Sequence, residues 1–415
     1  MNKKGITLIA PALIIIFSVI SFAADWPCWR GPNGNGISTE TGWNPKALTN
    51  PKITWRADVG KGHSSLAVKG NYLYTMGNKM TKSGDESTYF DVVYCLNTRT
   101  GKEVWQYSYP CKNTNYPGPR TTPAVDDSHV YTLSWEGHLF CFNAKDGSVM
   151  WKRHLVDESL AMRPNWGFCG SPVIDGDLLI LNVSKSGIAL NKKTGKVVWK
   201  SEPIQSSLPS PVLFNAGSKR LAAISNSNEL YAVDVKTGEI QWSHPRDRGM
   251  DIDPIIFDNK IFIQGNRKST LVDINGSKPK VLIEASNIRF NPFLNFVIID
   301  GYVYGFHNER NRDHLTCMDL KTGELKWKQN MGEYGALIAA DGKLIILKGN
   351  GTLIIAEASP EAYKVISSAK VLKMADNTGL QRPQQCHCWT IPALSDGKIY
   401  ARNNFGELVC VDMKM

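Results

Sequence analysis

The sequence predicts an all-β fold, an eight-bladed β-propeller of four-stranded antiparallel blades. Three observations predict it. A hairpin motif recurs at fixed internal spacing, a second hairpin precedes each copy, and the last unit stops one strand short while a strand-like segment stands unpaired near the start.

The motif is CLNTRTGKEVW, which returns as CFNAKDGSVMW, ALNKKTGKVVW, AVDVKTGEIQW and CMDLKTGELKW. Asn97, Asn143, Asn191, Asp234 and Asp319 each stand four residues before a glycine: Gly101, Gly147, Gly195, Gly238 and Gly323. Four residues later come Trp105, Trp151, Trp199, Trp242 and Trp327. The Asn or Asp side chain can bond back onto a turn, and glycine accepts positive φ there, so the motif reads as a hairpin loop. The tryptophan is expected to pack against the neighbouring unit, because one hairpin cannot bury its own apolar face.

The second hairpin is clearest in SPVIDGDLLIL and is echoed by TPAVDDSHVYTL, DPIIFDNKIFI, ALIAADGKLIIL and IPALSDGKIYA. Apolar alternation around Asp-Gly at 175–176, 341–342 and 396–397 marks its turn. Successive tryptophans from Trp105 to Trp242 are 46, 48 and 43 residues apart, and the 85-residue step to Trp327 holds a degenerate unit with Val281 at the tryptophan position. A second degenerate unit has Glu361 for the glycine and Val365 for the tryptophan. Inner strands near Leu66, Pro123, Pro172, Pro211, Pro254, Pro292, Leu337 and Pro392 make eight blades. ELVCVDMKM at the end is a third strand without a fourth, and ITWRADVG, with Trp55, is expected to complete that last blade. A linear solenoid is the rival, but it leaves the missing strand unexplained.

Residues 1–23 read as a secretory signal peptide, with Lys3 and Lys4 before an apolar run and Ser21-Phe22-Ala23 at its end. An uncleaved anchor is the alternative; no cysteine follows for lipid attachment, so a non-lipidated periplasmic or secreted protein is expected, with no membrane span after cleavage. Residues 24–52 form a lead segment and 53–415 the propeller. The formal charge of +10 comes without a Lys/Arg block, which argues against nucleic acid. Cys95, Cys141, Cys317 and Cys410 share one repeat position and are expected to be buried core residues. Cys28, Cys111, Cys169, Cys386 and Cys388 lie in irregular segments and are candidates for one or two disulfides of unassigned pairing.

The repeat resembles that of the quinoprotein family, the pyrroloquinoline-quinone (PQQ)-like propellers, over nearly all of residues 53–415. That family contains eight-bladed alcohol and sugar dehydrogenases and a non-catalytic branch that includes an outer-membrane-assembly propeller. DWPCWRGPNGNGIS at 25–38 also resembles the start of many exported bacterial propellers. The resemblance implies a fold; the framework persists with or without a cofactor.

Loops between blades should converge on one mouth of the central channel, and these carry the unusual residues. The candidate ligand mouth consists of His63, Arg120, Trp166, Arg246, Asp251, Arg289, Tyr334, Arg382, His387 and Trp389, with Arg163 beside them. Such a mouth suits an anionic or sugar ligand or a partner protein of the envelope, although the arginines could instead pair with nearby acids along a rim. The family's enzymes carry an adjacent cysteine pair and a Glu/Asn/Asp set around Ca²⁺. Here Cys386-His387-Cys388 is the nearest approach to the pair, and the loop acids Asp251, Asp253, Glu284, Glu333 and Asp376 form no recognisable cluster. PQQ and Ca²⁺ therefore belong only to the alternative of a dehydrogenase. The preferred reading is a binding or scaffold module without catalysis. No metal site is expected: Cys386 and Cys388 with His387, completed by Cys169 or Cys111, would be a poor zinc set, and His129, His138, His154 and His314 read as structural.

Overall fold

The computed structural model describes residues 24–83, 86–112, 116, 118–246, 252–265, 269–276, 278–285, 290, 294–309, 312–373 and 388–414. These residues form eight antiparallel sheets arranged as an eight-bladed β-propeller. With strands A to D counted outward from the axis, the blades span 67–110, 124–154, 173–200, 212–245, 255–285, 296–330 and 335–370. The eighth takes strands A to C from Ala393–Ser395, Lys398–Arg402 and Glu407–Asp412, and its fourth from Lys52–Asp58. Ile53 lies opposite Val411, Trp55 opposite Cys410 and Asp58 opposite Glu407, so the ring closes through the two ends of the chain as the sequence predicts.

The recurring motif is the C–D hairpin. Gly101, Gly147, Gly195, Gly238 and Gly323 all have φ between 68° and 77°. In the first copy the Asn97 side chain accepts hydrogen bonds from the backbone of Arg99 and Thr100, which fixes the turn. Four of the tryptophans stack on the glycine of the next blade: a Cβ on Gly101, Gly147, Gly195 or Gly238 would fall 2.5–2.8 Å from the indole of Trp55, Trp105, Trp151 or Trp199. The indole N–H of those four donates to the backbone carbonyl of Thr98, Ala144, Lys192 or Val235 at 2.8–3.0 Å. One side chain thus supplies an apolar stack and a directed bond across each of these four blade junctions. Trp327 makes the same bond to the Ser359 carbonyl, 2.8 Å, although that blade has lost its glycine.

Every C–D pair also carries a one-residue bulge just before the tryptophan position, in all eight blades. The bulge turns the outer strand so that the indole faces the neighbouring blade. It also corrects the alignment of the two degenerate units. Ile283, opposite Leu271, and Ser367, opposite Ile355, occupy the tryptophan position, not Val281 and Val365. The C–D loops there are two residues longer, which counting from the strand start did not allow for. The inner strand of the sixth blade likewise begins at Phe296, later than Pro292, which lies outside the described residues.

Cys95, Cys141, Cys317 and Cys410 are fully buried between blades, as expected. Cys28, Cys111, Cys169 and Cys388 are free thiols, and Cys386 lies outside the described residues. Among the described residues no helix is long and apolar enough to cross a membrane; residues 1–23 are not among them.

The lead segment has a structural role that its sequence did not announce. It runs along the inner strands at their A–B turn end. Trp26 pairs by two backbone bonds with Val68, the Pro27 carbonyl accepts from Val125, and Ile37–Ser38 add a parallel strand beside Gly335–Ala340. Trp26 and Arg30 are almost completely buried, so the segment plugs the axis at that end.

A candidate ligand mouth above a plugged channel

At the other end of the axis, the residues that precede each inner strand face one another. Their polar side chains link the blades. The backbone N–H of Ser65 donates to the Thr122 hydroxyl, Thr122 to Ser171, Ser171 to Ser210, and Ser210 to the Asp253 carboxylate, at 2.6–3.2 Å. Ile391 N–H of the last blade returns to the Ser65 hydroxyl at 3.1 Å. The Ser, Thr or Asp before proline at 122, 171, 210 and 253 is the sequence signal for this belt, and the sequence reading did not use it.

Asp253 stands where the first four blades have a hydroxyl, and its second oxygen accepts the Trp29 indole N–H at 2.6 Å. Arg30 comes within 4.0 Å of the same oxygen. Burial raises the Asp253 carboxyl, and the Arg30 guanidinium partly offsets that rise; burial also lowers Arg30. Trp29 is thereby fixed across the channel. With Ser210 and Asp253 it lines two cavities, one of about 390 Å³ toward the A–B turns and one of about 260 Å³ at the mouth.

The mouth cavity is lined by Trp29, His63, Tyr116, Arg120, Trp166, Cys169, Ser171, Leu208, Ser210, Asp253 and Trp389. Four predicted residues, His63, Arg120, Trp166 and Trp389, come together there. Their rings form a chain: Trp166 to Tyr116 at 5.7 Å, Tyr116 to His63 at 6.5 Å, His63 to Trp389 at 6.3 Å and Trp389 to Tyr334 at 5.2 Å. Tyr334 is therefore in the aromatic arc but one ring behind the cavity. Arg246 sits to the side, bonded to the Ser207 hydroxyl and the Asn226 carbonyl. Arg163 lies over Trp135 at 4.9 Å and within 3.9 Å of Glu136, the rim pairing that was the alternative for the arginines. Asp251, Arg289, Arg382 and His387 lie outside the described residues.

Burial, with Arg120 and Arg402, pushes the His63 imidazole down to about 3, so it is neutral at physiological pH. Arg402, fully buried, donates to the Thr75 hydroxyl and to the carbonyls of Met76 and Gly60, tying the last blade to the first. Trp166 is 56% exposed and Tyr116, Met162 and Ile204 are also exposed, giving an apolar lip beside the cavity. Trp29, Tyr116, Leu208 and the serines were absent from the sequence-predicted mouth; Trp29 in particular reaches it from a residue 224 positions away from its partner.

Among the described residues, the cavity lining does not supply the ligand set of the quinone and Ca²⁺ in the family's enzymes. The cavity-lining set contains one carboxylate, Asp253, and both its oxygens are already engaged. A hard dication needs six or more oxygen ligands.

A family model described as outer membrane protein assembly factor BamB matches residues 90–362. The chain is 21% identical over 324 residues to the outer membrane protein assembly factor BamB of Yersinia pestis, covering 73% of this chain and 67% of that one. Among solved structures it resembles BamB from Moraxella catarrhalis, with a TM-score of 0.61, 14% identity, and coverage of 88% of this chain and 98% of that one. It also resembles a quinohemoprotein alcohol dehydrogenase from Comamonas testosteroni, with a TM-score of 0.68, 12% identity, and coverage of 93% and 80%. Likenesses at that identity establish the fold alone.

Proposed function

As a chain that belongs to the BamB family of PQQ-like repeat propellers, this protein, we propose, is an exported binding or scaffold module of the cell envelope with no catalysis of its own. A segment of another envelope protein docks at the mouth. The observation that carries this reading is the aromatic arc from Trp166 to Tyr334, open to solvent on one side and backed by the Trp29 plug. Exposed aromatic and apolar side chains around a concavity are the usual anchors of protein recognition. The neutral His63 adds no charge to the arc, and Arg120 supplies a cation for an acidic group on the incoming segment.

A photo-crosslinking side chain at position 166 should capture one defined envelope protein in cells, while the same side chain at exposed Met150 on an outer strand should not. With that partner purified, the Trp166→Ala, Trp389→Ala double variant should bind about thirtyfold more weakly, as for the loss of a hot-spot anchor of about 2 kcal/mol. Equal capture at both positions, or unchanged affinity, would remove the mouth from the interface. Stoichiometric binding of pyrroloquinoline quinone with Ca²⁺, followed by dye reduction with an alcohol or sugar, would replace the scaffold with a dehydrogenase.

A further inference from the structure

Away from the axis, the junction of the first two blades gathers side chains that neither the repeat nor the mouth uses. Cys111 follows the outer strand of the first blade, and Glu136 and His138 come from the B–C turn of the second. One ligand atom of each lies within 4.8 Å of the others. Cys111 is 4% exposed. Asp91, in strand C of the first blade, lies against the same thiol and is fully buried. One of its oxygens accepts from the Asn78 amide at 2.9 Å, and the other neighbour of the carboxylate is the Cys111 thiol. A divalent cation could take the place of the proton between that carboxylate and thiol.

We propose that Asp91, Cys111, Glu136 and His138 form a structural site for a borderline divalent cation of the zinc class, clamping blade one to blade two. The donor set of a thiolate, an imidazole and two carboxylates is what such a cation takes in tetrahedral geometry. Tetrahedral donors stand roughly 3.3–3.6 Å apart at zinc bond lengths, so small side-chain rotations close the cluster. Its orientation is already built. The Ser134 hydroxyl holds His138 Nδ1 at 3.1 Å, leaving Nε2 for the metal, and the Lys112 backbone N–H holds Glu136 at 3.1 Å. Trp135, between them, donates to the Lys112 carbonyl at 3.1 Å and keeps the two segments in register. Because all four donors come from the protein, the site has no open position for substrate and is a clamp, separate from the mouth.

The purified full-length mature chain, stripped with chelator and titrated with Co²⁺, should bind one equivalent. The complex should show a thiolate-to-cobalt charge-transfer band and the intense visible bands of a tetrahedral centre, all displaced by Zn²⁺. Cys111→Ser should abolish the charge-transfer band. Asp91→Asn and His138→Gln should weaken zinc at least about tenfold. Zinc should also raise the unfolding midpoint of the wild type but not of His138→Gln, a partly exposed position whose variant can be checked for native circular dichroism before titration. The proposal is overturned if no cobalt binds, if the charge-transfer band survives in Cys111→Ser, or if alkylation and mass mapping find Cys111 in a disulfide.

Discussion

His63 precedes the first inner strand, and its place at the mouth could be read from that position alone. Its neutrality could not, because it follows first from burial in the assembled ring and then from the guanidiniums of Arg120 in the next blade and Arg402 in the last. The consequence for stability has a definite sign. The folded protein holds this imidazole at about 3 against an ordinary value near 6.5, so below 6.5 the unfolded chain binds the proton first. The contribution of His63 is present above that value and is lost as pH falls from there toward 3. Between pH 7 and pH 4.5 the loss should reach roughly 2–3 kcal/mol, from one pKa unit being worth about 1.4 kcal/mol. Urea unfolding of the wild type and His63→Gln at both pH values isolates this part from the buried carboxyls, whose raised values act in the opposite direction. An imidazole NMR titration with an ordinary midpoint would refute it.

At the scale of the element, the C–D hairpin is the unit of construction. Its glycine has two separate reasons to be glycine, a positive φ and the flat face of the indole from the preceding blade, as at Gly195 beneath Trp151. Gly195→Ala should therefore cost about 1 kcal/mol for the left-handed backbone and about 1–3 kcal/mol more for displacing the ring. The change would appear as a lower urea midpoint with an unchanged slope. A loss under 0.5 kcal/mol would mean that the indole does not bear on the turn. The fixed spacing made this contact legible, since each indole meets the same position of the next copy. The spacing failed at Ile283 and Ser367, where longer loops shift the outer strand while the bulge keeps its place in the sheet. Register is decided by ladder pairing, and counting residues along the chain cannot see it.

For the whole molecule, closure and plugging are separate devices built from adjacent stretches of chain. The strand Lys52–Asp58 covers the edge of Glu407–Asp412, whereas residues 24–40 cross the axis. Two truncations separate them. Starting at residue 41 should open the channel and lower stability by several kcal/mol through the loss of buried Trp26 and Arg30, while leaving a monomer. Starting at residue 59 should expose the last-blade edge and drive self-association, visible by light scattering after size exclusion. If the shorter truncation is as aggregated as the longer one, the plug and the closing strand are not independent.

From the sequence alone came the number of blades, the closing strand, the inward cysteines at 95, 141, 317 and 410, and the direction of each repeat tryptophan. These interactions join neighbouring copies, so they recur at constant spacing. Only the tertiary structure decided that Trp29 and Asp253 meet across the channel, that Arg402 bonds to the first blade, and that Asp91, Cys111, Glu136 and His138 gather at the junction of the first two blades. Each of these occurs once, between segments whose separation in the chain carries no period. A single contact leaves no pattern in a sequence until the ring has closed around it.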